Sequence, residues 1–302
     1  MKNIFVFGSL NMDMVIRSPY LPAAGETLTG GGFMTNPGGK GANQAAACGK
    51  LNGLVHMAGC VGDDAFGKQM LENLAGYGVD VSCVRIVEET PSGIAVIVIV
   101  DDDNRIILDV GANSKVNSSD AERLLASAAP GDILLVQLET PLEAVGAALK
   151  LAHEKGMYTI LNPAPMARDV QACFPYVDMI TPNETEFHLL TGTDLLDEGG
   201  RFLMDAGIKE VVVTRGAKGY CYISQGKMVS EDCIKAPVVD TTGAGDTFCG
   251  ALAVKLAAGE DIENALRFAN RAAAVTVQRR GAQVSIPTLD EVETYFSTKR
   301  KH

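Results

Sequence analysis

Short β-rich runs, mostly apolar, recur along the chain at 4–7, 54–58, 94–100, 133–138, 158–161, 179–181, 211–214 and 220–223. Several lack polar alternation, as expected of strands buried on both faces of a parallel sheet. Between many of them the apolar positions take helical spacing, over 42–51, 66–75, 120–128, 142–154 and 184–190. This β–α alternation predicts an α/β fold of three layers, a mainly parallel central sheet with helices on both faces. Two stretches, about 13–34 and about 92–110, break the rhythm and read as strands with no helix between them. In the second, Asp101-Asp102-Asp103-Asn104 gives the polar turn of a hairpin between 94–100 and 105–108. Together they predict a small antiparallel sheet projecting from the main one as a lid.

Composition narrows the class. A chain of 302 residues that is 47% hydrophobic and 21% charged has ample material for a core. Its 32 glycines fall in short groups, which suits tight turns and close backbone–ligand approach. A net charge of −11 argues against nucleic acid or an anionic membrane surface as partner. An anionic substrate stays possible, since a helix N-terminus, one lysine and a bound cation can build a positive pocket. The seven cysteines are scattered without a C-x-x-C pair and read as reduced, mostly buried thiols. The four histidines form no ligand spacing. The apolar run 4–7 is too short for a signal-peptide core, and 94–100 is far short of a membrane span. The expectation is a cytoplasmic protein.

The most informative segment is Asp240-Thr241-Thr242-Gly243-Ala244-Gly245-Asp246-Thr247-Phe248. Phe248, Ala251, Leu252 and Leu256 then share one helical face up to Gly259, so a glycine-rich turn opens a helix of about four turns. The first amides of such a helix lack intrahelical partners and sit at its positive end, where they can hold an anion. A carboxylate in that turn, Asp246, would repel a phosphate. It makes sense if a hydroxyl must lose its proton while attacking phosphorus. Equally, an acidic residue in a first turn is favoured by the helix dipole alone.

A second glycine cluster, Asn36-Pro37-Gly38-Gly39-Lys40-Gly41-Ala42-Asn43-Gln44, leads into an alanine-rich helix. It is not a Walker A loop, because Gly41 stands where a magnesium-holding Ser or Thr would be. Neither cluster is a dinucleotide fingerprint, since Phe248 replaces the third glycine after Gly243 and Gly245. After the first strand, Asn11 and Asp13 alternate and can face one side, where they could bond vicinal hydroxyls. A polar turn would read the same way. Glu139 and the segment 183–186 also follow predicted strands, where open α/β sheets bind ligands.

In order and spacing, these segments resemble the ribokinase branch of the PfkB family of carbohydrate and nucleoside kinases. Residues 38–43 resemble its N-terminal signature, 240–246 its C-terminal one, and Thr181-Pro182-Asn183-Glu184-Thr185-Glu186 its N-x-x-E segment. The similarity runs over about 3–287. It implies one catalytic domain over 1–302 that transfers phosphate from ATP to the primary hydroxyl (O5) of D-ribose. Alternatives are a related kinase for deoxyribose, a ketose or a nucleoside, or a non-catalytic sugar-binding regulator. A dehydrogenase is disfavoured by the missing fingerprint.

The resemblance also assigns roles. Asp246 becomes the general base, and the amides of Gly243, Ala244 and Gly245 the anion hole. Asn11, Asp13, Gly39, Lys40, Asn43 and Glu139 would bind the sugar. Asn183 and Glu186 would act on Mg2+ and phosphates through water, with Thr214, Gly216, Gly219 and Asn270 lining the nucleotide site. A K+ site would use Asp240 and Ser285 with carbonyls of Thr242, Thr276, Arg279 and Gly281. The lid would close over the sugar, and its apolar outer face implies a homodimer. The segment 195–207 is shorter than the family pattern, which trims a peripheral helix and leaves the assigned groups intact.

Overall fold

A computed structural model describes residues 1–101, 103–167 and 169–299. The chain begins β1 (Asn3–Phe7), β2 (Asn11–Arg17), β3 (Gly31–Gly38), α1 (Lys40–Lys50), β4 (Leu54–Ala58), β5 (Cys60–Gly62), α2 (Ala65–Gly76), β6 (Val79–Asp80) and β7 (Arg85–Val87). There follow β8 (Gly93–Val100), β9 (Asp103–Asp109), α3 (Ser118–Leu124), β10 (Ile133–Val136), α4 (Leu142–Glu154), β11 (Tyr158–Leu161) and β12 (Met179–Ile180). The last part holds α5 (Glu184–Thr191), α6 (Leu196–Asp205), β13 (Glu210–Thr214), β14 (Tyr220–Ser224), β15 (Lys227–Glu231), α7 (Ala244–Ala257), α8 (Ile262–Thr276) and α9 (Leu289–Lys299).

Nine strands form the central sheet in the order β15-β14-β13-β12-β11-β10-β1-β4-β6. Pairings from β13 across to β6 are parallel, and β14 and β15 add an antiparallel edge. Within β1, Ile4 and Val6 join one core with α1, α7 and α8, while Phe5 and Phe7 join the other with α3 and α4. A period of two with both faces covered yields an unbroken apolar run, as the sequence indicated. From β1 the chain adds β4 and β6 on one side, then crosses to β10 and continues to β13 on the other. The order reverses between β1 and β10, so the connections leaving their carboxyl ends diverge and open a crevice there.

A second sheet has the order β3-β2-β8-β9. The expectation of an antiparallel sheet holds for its outer pairs only. The inner pair β2–β8 is parallel, because each of these strands is extended by its own hairpin partner on the outside. β8 and β9 meet at Val100 and Asp103; Asp102, within the predicted turn, lies outside the described residues. The whole of β9 is exposed, and Phe33, Ile106 and Ile107 present apolar side chains to solvent.

Other departures have simple causes. α7 lacks a single apolar stripe; it is buried on nearly every side because α1, α8 and the sheet surround it. α8 and α9 escaped the sequence reading, although Ile262, Ala265, Leu266, Ala269 and Ala272 carry helical spacing. The shortened segment still forms α6, whose Gly199 lies so close to α5 that a Cβ there would meet the Phe187 ring at 2.4 Å. Five of the seven free cysteines are buried. Among the described residues no helix is long and apolar enough to cross a membrane.

Candidate active site

The predicted residues gather at the carboxyl ends of the central strands. Gly38, Gly39 and Gly41 are glycines for a steric reason. A Cβ at Gly38 would sit 2.5 Å from Asp13 Oδ2, one at Gly39 would sit 2.7 Å from the Asn11 amide, and one at Gly41 would sit 2.5 Å from the Ser9 amide. The start of α1 is thereby drawn onto the β1–β2 connection. Glu139, beyond β10, closes this corner: its Oε2 accepts from Ser9 Oγ at 2.5 Å and from the Lys40 amide at 3.0 Å. A carboxylate against a first-turn amide also gains from the helix dipole. Asn11 is buried, and its Oδ1 accepts from Asn113 Nδ2 at 2.8 Å.

Asp246, in the first turn of α7, is buried and held from both sides. Oδ2 accepts from Asn43 Nδ2 at 2.9 Å and Oδ1 from Gln44 Nε2 at 3.0 Å. Burial raises its pKa above the ordinary carboxylate value, with Lys40, Asn43 and Gln44 opposing the rise. Burial likewise pushes Asp13 up to about 7, with Glu139 and Asp246 adding repulsion. Desolvation would depress Lys40, but Asp246, Glu139 and Glu186 outweigh it and raise its pKa. The corner therefore holds carboxylates around one ammonium group, with Asn43 Oδ1 buried and lacking a hydrogen-bond partner among the described residues. Such a set can accept protons from hydroxyl groups.

Beside it lies a cleft of about 760 Å³. Lys40 and Asp246 line it together with Gly243, Ala244, Gly245, Asn183, Glu186, Thr214, Gly216, Gly219 and Asn270. Asn11, Asp13, Gly39, Asn43 and Glu139 do not. Lys40 and Asp246 thus stand at the border between the acceptor corner and the cleft. Gly243 adopts φ +74°, which favours glycine, and a Cβ on Gly245 would meet nothing within 4 Å. Of the three amides predicted for an anion, that of Ala244 already has a partner in the Thr241 carbonyl at 3.2 Å. Asn183 and Glu186 form a reciprocal cap on α5, at 2.8 and 2.9 Å. Burial raises the Glu186 pKa against the pull of the Asn183 amide and Lys40. Asn270 Nδ2 donates to the Asp232 carbonyl at 2.9 Å.

The segment before Gly243 is tied to the loop after α8. Asp240 accepts from the Gly281 amide at 2.9 Å and from the Thr242 amide and hydroxyl at 2.9 and 2.7 Å. Burial opposes, but these bonds outweigh it and lower the Asp240 pKa. Ser285 is fully buried and donates to the Ala282 carbonyl at 2.7 Å, which leaves its oxygen lone pairs available. The Arg279 side chain pairs with Glu291 at 2.7 Å, so only its backbone belongs to this loop. The donor set that fits a cation here is mostly neutral oxygen with one carboxylate, chemistry suited to a hard ion of low charge.

Residues to which the sequence reading gave no role are Ser9, Gln44, Asn113, Gln137 and Asn162. Gln137 and Asn162 directly follow β10 and β11, a position that marks them; Asn113 carries no local signal.

A family model described as pfkB family carbohydrate kinase matches residues 1–289. The chain is 42% identical to the ribokinase of Bacillus subtilis (strain 168), covering 98% of this chain and 100% of that one. It is 40% identical to the ribokinase of Schizosaccharomyces pombe over 99% of both. Among solved structures it resembles that of Arabidopsis thaliana ribokinase complexed with ribose and ATP, with a TM-score of 0.91 and 36% identity over 97% of this chain and 98% of that one. With two glycine motifs folded around one buried carboxylate and a family match over nearly the whole length, the chain belongs to the pfkB family of carbohydrate kinases.

Proposed function

We propose that this protein transfers the γ-phosphoryl group of ATP to the O5 hydroxyl of D-ribose, giving ribose 5-phosphate and ADP. The observation that carries this is the position of Asp246, shared between the acceptor corner and the cleft. Ribose occupies the corner of Asn11, Asp13, Gly39, Lys40, Asn43 and Glu139, where the unpartnered Asn43 Oδ1 accepts from a sugar hydroxyl. ATP occupies the cleft, with its adenine toward Asn270 and its phosphates toward Gly243–Gly245. Asp246 takes the O5 proton as that oxygen attacks phosphorus in line and the bond to ADP breaks. First-turn amides of α7 and the Lys40 ammonium stabilise the charge that develops on the transferred group.

Glu186 and Asp246 are the carboxylates lining the cleft among the described residues. That sparse set fits Mg2+ held mainly by phosphates and water, with Glu186 and Asn183 orienting the water. Bound there, the ion would neutralise phosphate charge. The Asp240–Ser285 loop fits K+, which would steady the turn that carries the anion hole; equal turnover in potassium and in a bulky ammonium salt would remove this ion. The β3-β2-β8-β9 sheet acts as a lid that excludes water from the sugar. Its exposed Phe33, Ile106 and Ile107 pair with a second copy in a homodimer, and a monomeric mass in light scattering would count against that. We assign the protein to the cytoplasm, in keeping with its free cysteines.

The test is sugar-dependent ADP formation from Mg-ATP with potassium, across ribose, deoxyribose, fructose and nucleosides. Preference for ribose supports the proposal. Preference for another acceptor retains the chemistry and reassigns the corner; no turnover in folded protein overturns both.

A further inference from the structure

Gln44 is fully buried, and each polar proton or acceptor of its amide has a partner. Nε2 donates to Asp246 Oδ1 at 3.0 Å and to Asn162 Oδ1 at 3.1 Å, while Oε1 accepts from Gln137 Nε2 at 2.6 Å. Asn162 Nδ2 donates onward to the Thr181 carbonyl at 2.9 Å. The chain of amides therefore ties Asp246 to the ends of β10, β11 and β12, three neighbouring strands of the sheet.

The polarity of this chain has one consistent arrangement. An ionised carboxylate only accepts, so the NH2 of Gln44 must face Asp246. Turned over, Gln44 would set its oxygen against the carboxylate and its NH2 against that of Gln137. Gly8 belongs to the same device: a Cβ there would lie 2.1 Å from Gln137 Oε1, so only glycine leaves room for Gln137.

We infer that Gln44, aimed by Gln137, is a positioning residue that fixes the Asp246 carboxylate in the orientation from which it accepts the O5 proton. The inference rests on Asp246 being the base. Gln44 is fully buried and does not line the cleft; it acts through the rotamer of Asp246 and through the bond that favours its charged form. Lys40 on α1, Asp13 on β2, Glu139 after β10, Glu186 on α5 and Cys249 on α7 also face this carboxylate electrostatically, and all are retained in the variants below.

Gln44→Met keeps the volume and removes the bonds. Expected is a fall in kcat of about tenfold or more, since a small misplacement of a reacting group is costly. KM for ribose and for ATP should stay within about threefold, because the binding groups are untouched. The acid limb of kcat against pH should move up by roughly half a unit or more, because a donor to the carboxylate is lost. Gln137→Met, which leaves the Asp246 contacts in place, should move the same limb in the same direction with a smaller fall. A folded Gln44→Met enzyme with wild-type kcat and limb overturns the inference. So does a fall in kcat with an unmoved limb, which marks packing alone. If Gln44→Met does not fold, the Gln137→Met limb decides in the same way. Turnover retained in Asp246→Asn, or absent from the wild type with every acceptor, would instead bring down the assignment on which the inference stands.

Discussion

Asn43 Nδ2 donates to Asp246 Oδ2 at 2.9 Å across 203 residues of sequence. The bond joins the two glycine-rich motifs, and it forms because α1 and α7 pack with almost no side chain between them. A Cβ on Gly250 would fall 2.6 Å from that of Ala47 and 2.8 Å from the Gln44 carbonyl.

Asp246→Asn keeps this packing and removes the proposed base. Turnover should fall by about 10²–10⁴, the usual weight of a positioned general base. ATP affinity, measured by calorimetric titration, should change little. Near-normal turnover would remove Asp246 from that role.

Asp13 should give the free enzyme a stability penalty at alkaline pH. Its folded pKa, about 7, lies above the ordinary 3.8, so the folded state binds the proton more tightly than the unfolded chain. Stability therefore falls as pH rises between those values. At pH 8 Asp13→Asn should raise the melting temperature by about 2 °C or more while weakening ribose binding. An unchanged or lower melting temperature would refute the cost of burying the Asp13 charge beside Glu139 and Asp246.

Gly243 and Gly245 should separate strain from occlusion. Alanine at Gly243 must adopt a positive φ and should cost about 1–2 kcal/mol of stability. Alanine at Gly245 meets open space on the lining of the cleft, so the fold should be kept while the methyl group intrudes on the proposed phosphate site. Chemical denaturation should distinguish the first variant, and a raised KM for ATP the second.

Asp120 should be purely structural. It is buried, and it accepts from Arg85 Nε at 2.9 Å, from Arg123 at 2.6 Å and from the Asn117 amide at 3.0 Å. Removing one partner of such a buried cluster costs about 3 kcal/mol. In Asp120→Ala the denaturation midpoint should drop while kcat per folded molecule stays constant. Burial raises its pKa, but the arginines and the Asn117 amide outweigh that and lower it. Its contribution should therefore be present above the ordinary 3.8 and be lost as pH falls through the folded value.

By itself the sequence determined the layers, the direction of most strands and the identity of the chemistry-bearing motifs. Those properties are local: an unbroken apolar run reports burial on both faces, and a glycine turn before a helix reports an anion-binding end. Tertiary structure decided how the motifs meet. The parallel β2–β8 pairing depends on which edges are free once each hairpin has formed. The all-round burial of α7 depends on α1 and α8 closing over it, which no periodicity within α7 reveals. The amide chain from Gln137 through Gln44 to Asp246, with Asn162 bonded to Gln44, exists only because strand order places β10, β11 and β12 side by side. A buried carboxylate must find donors wherever the fold supplies them, and here they come from Asn43 and Gln44, in a motif distant in sequence whose meeting with Asp246 no local pattern reveals.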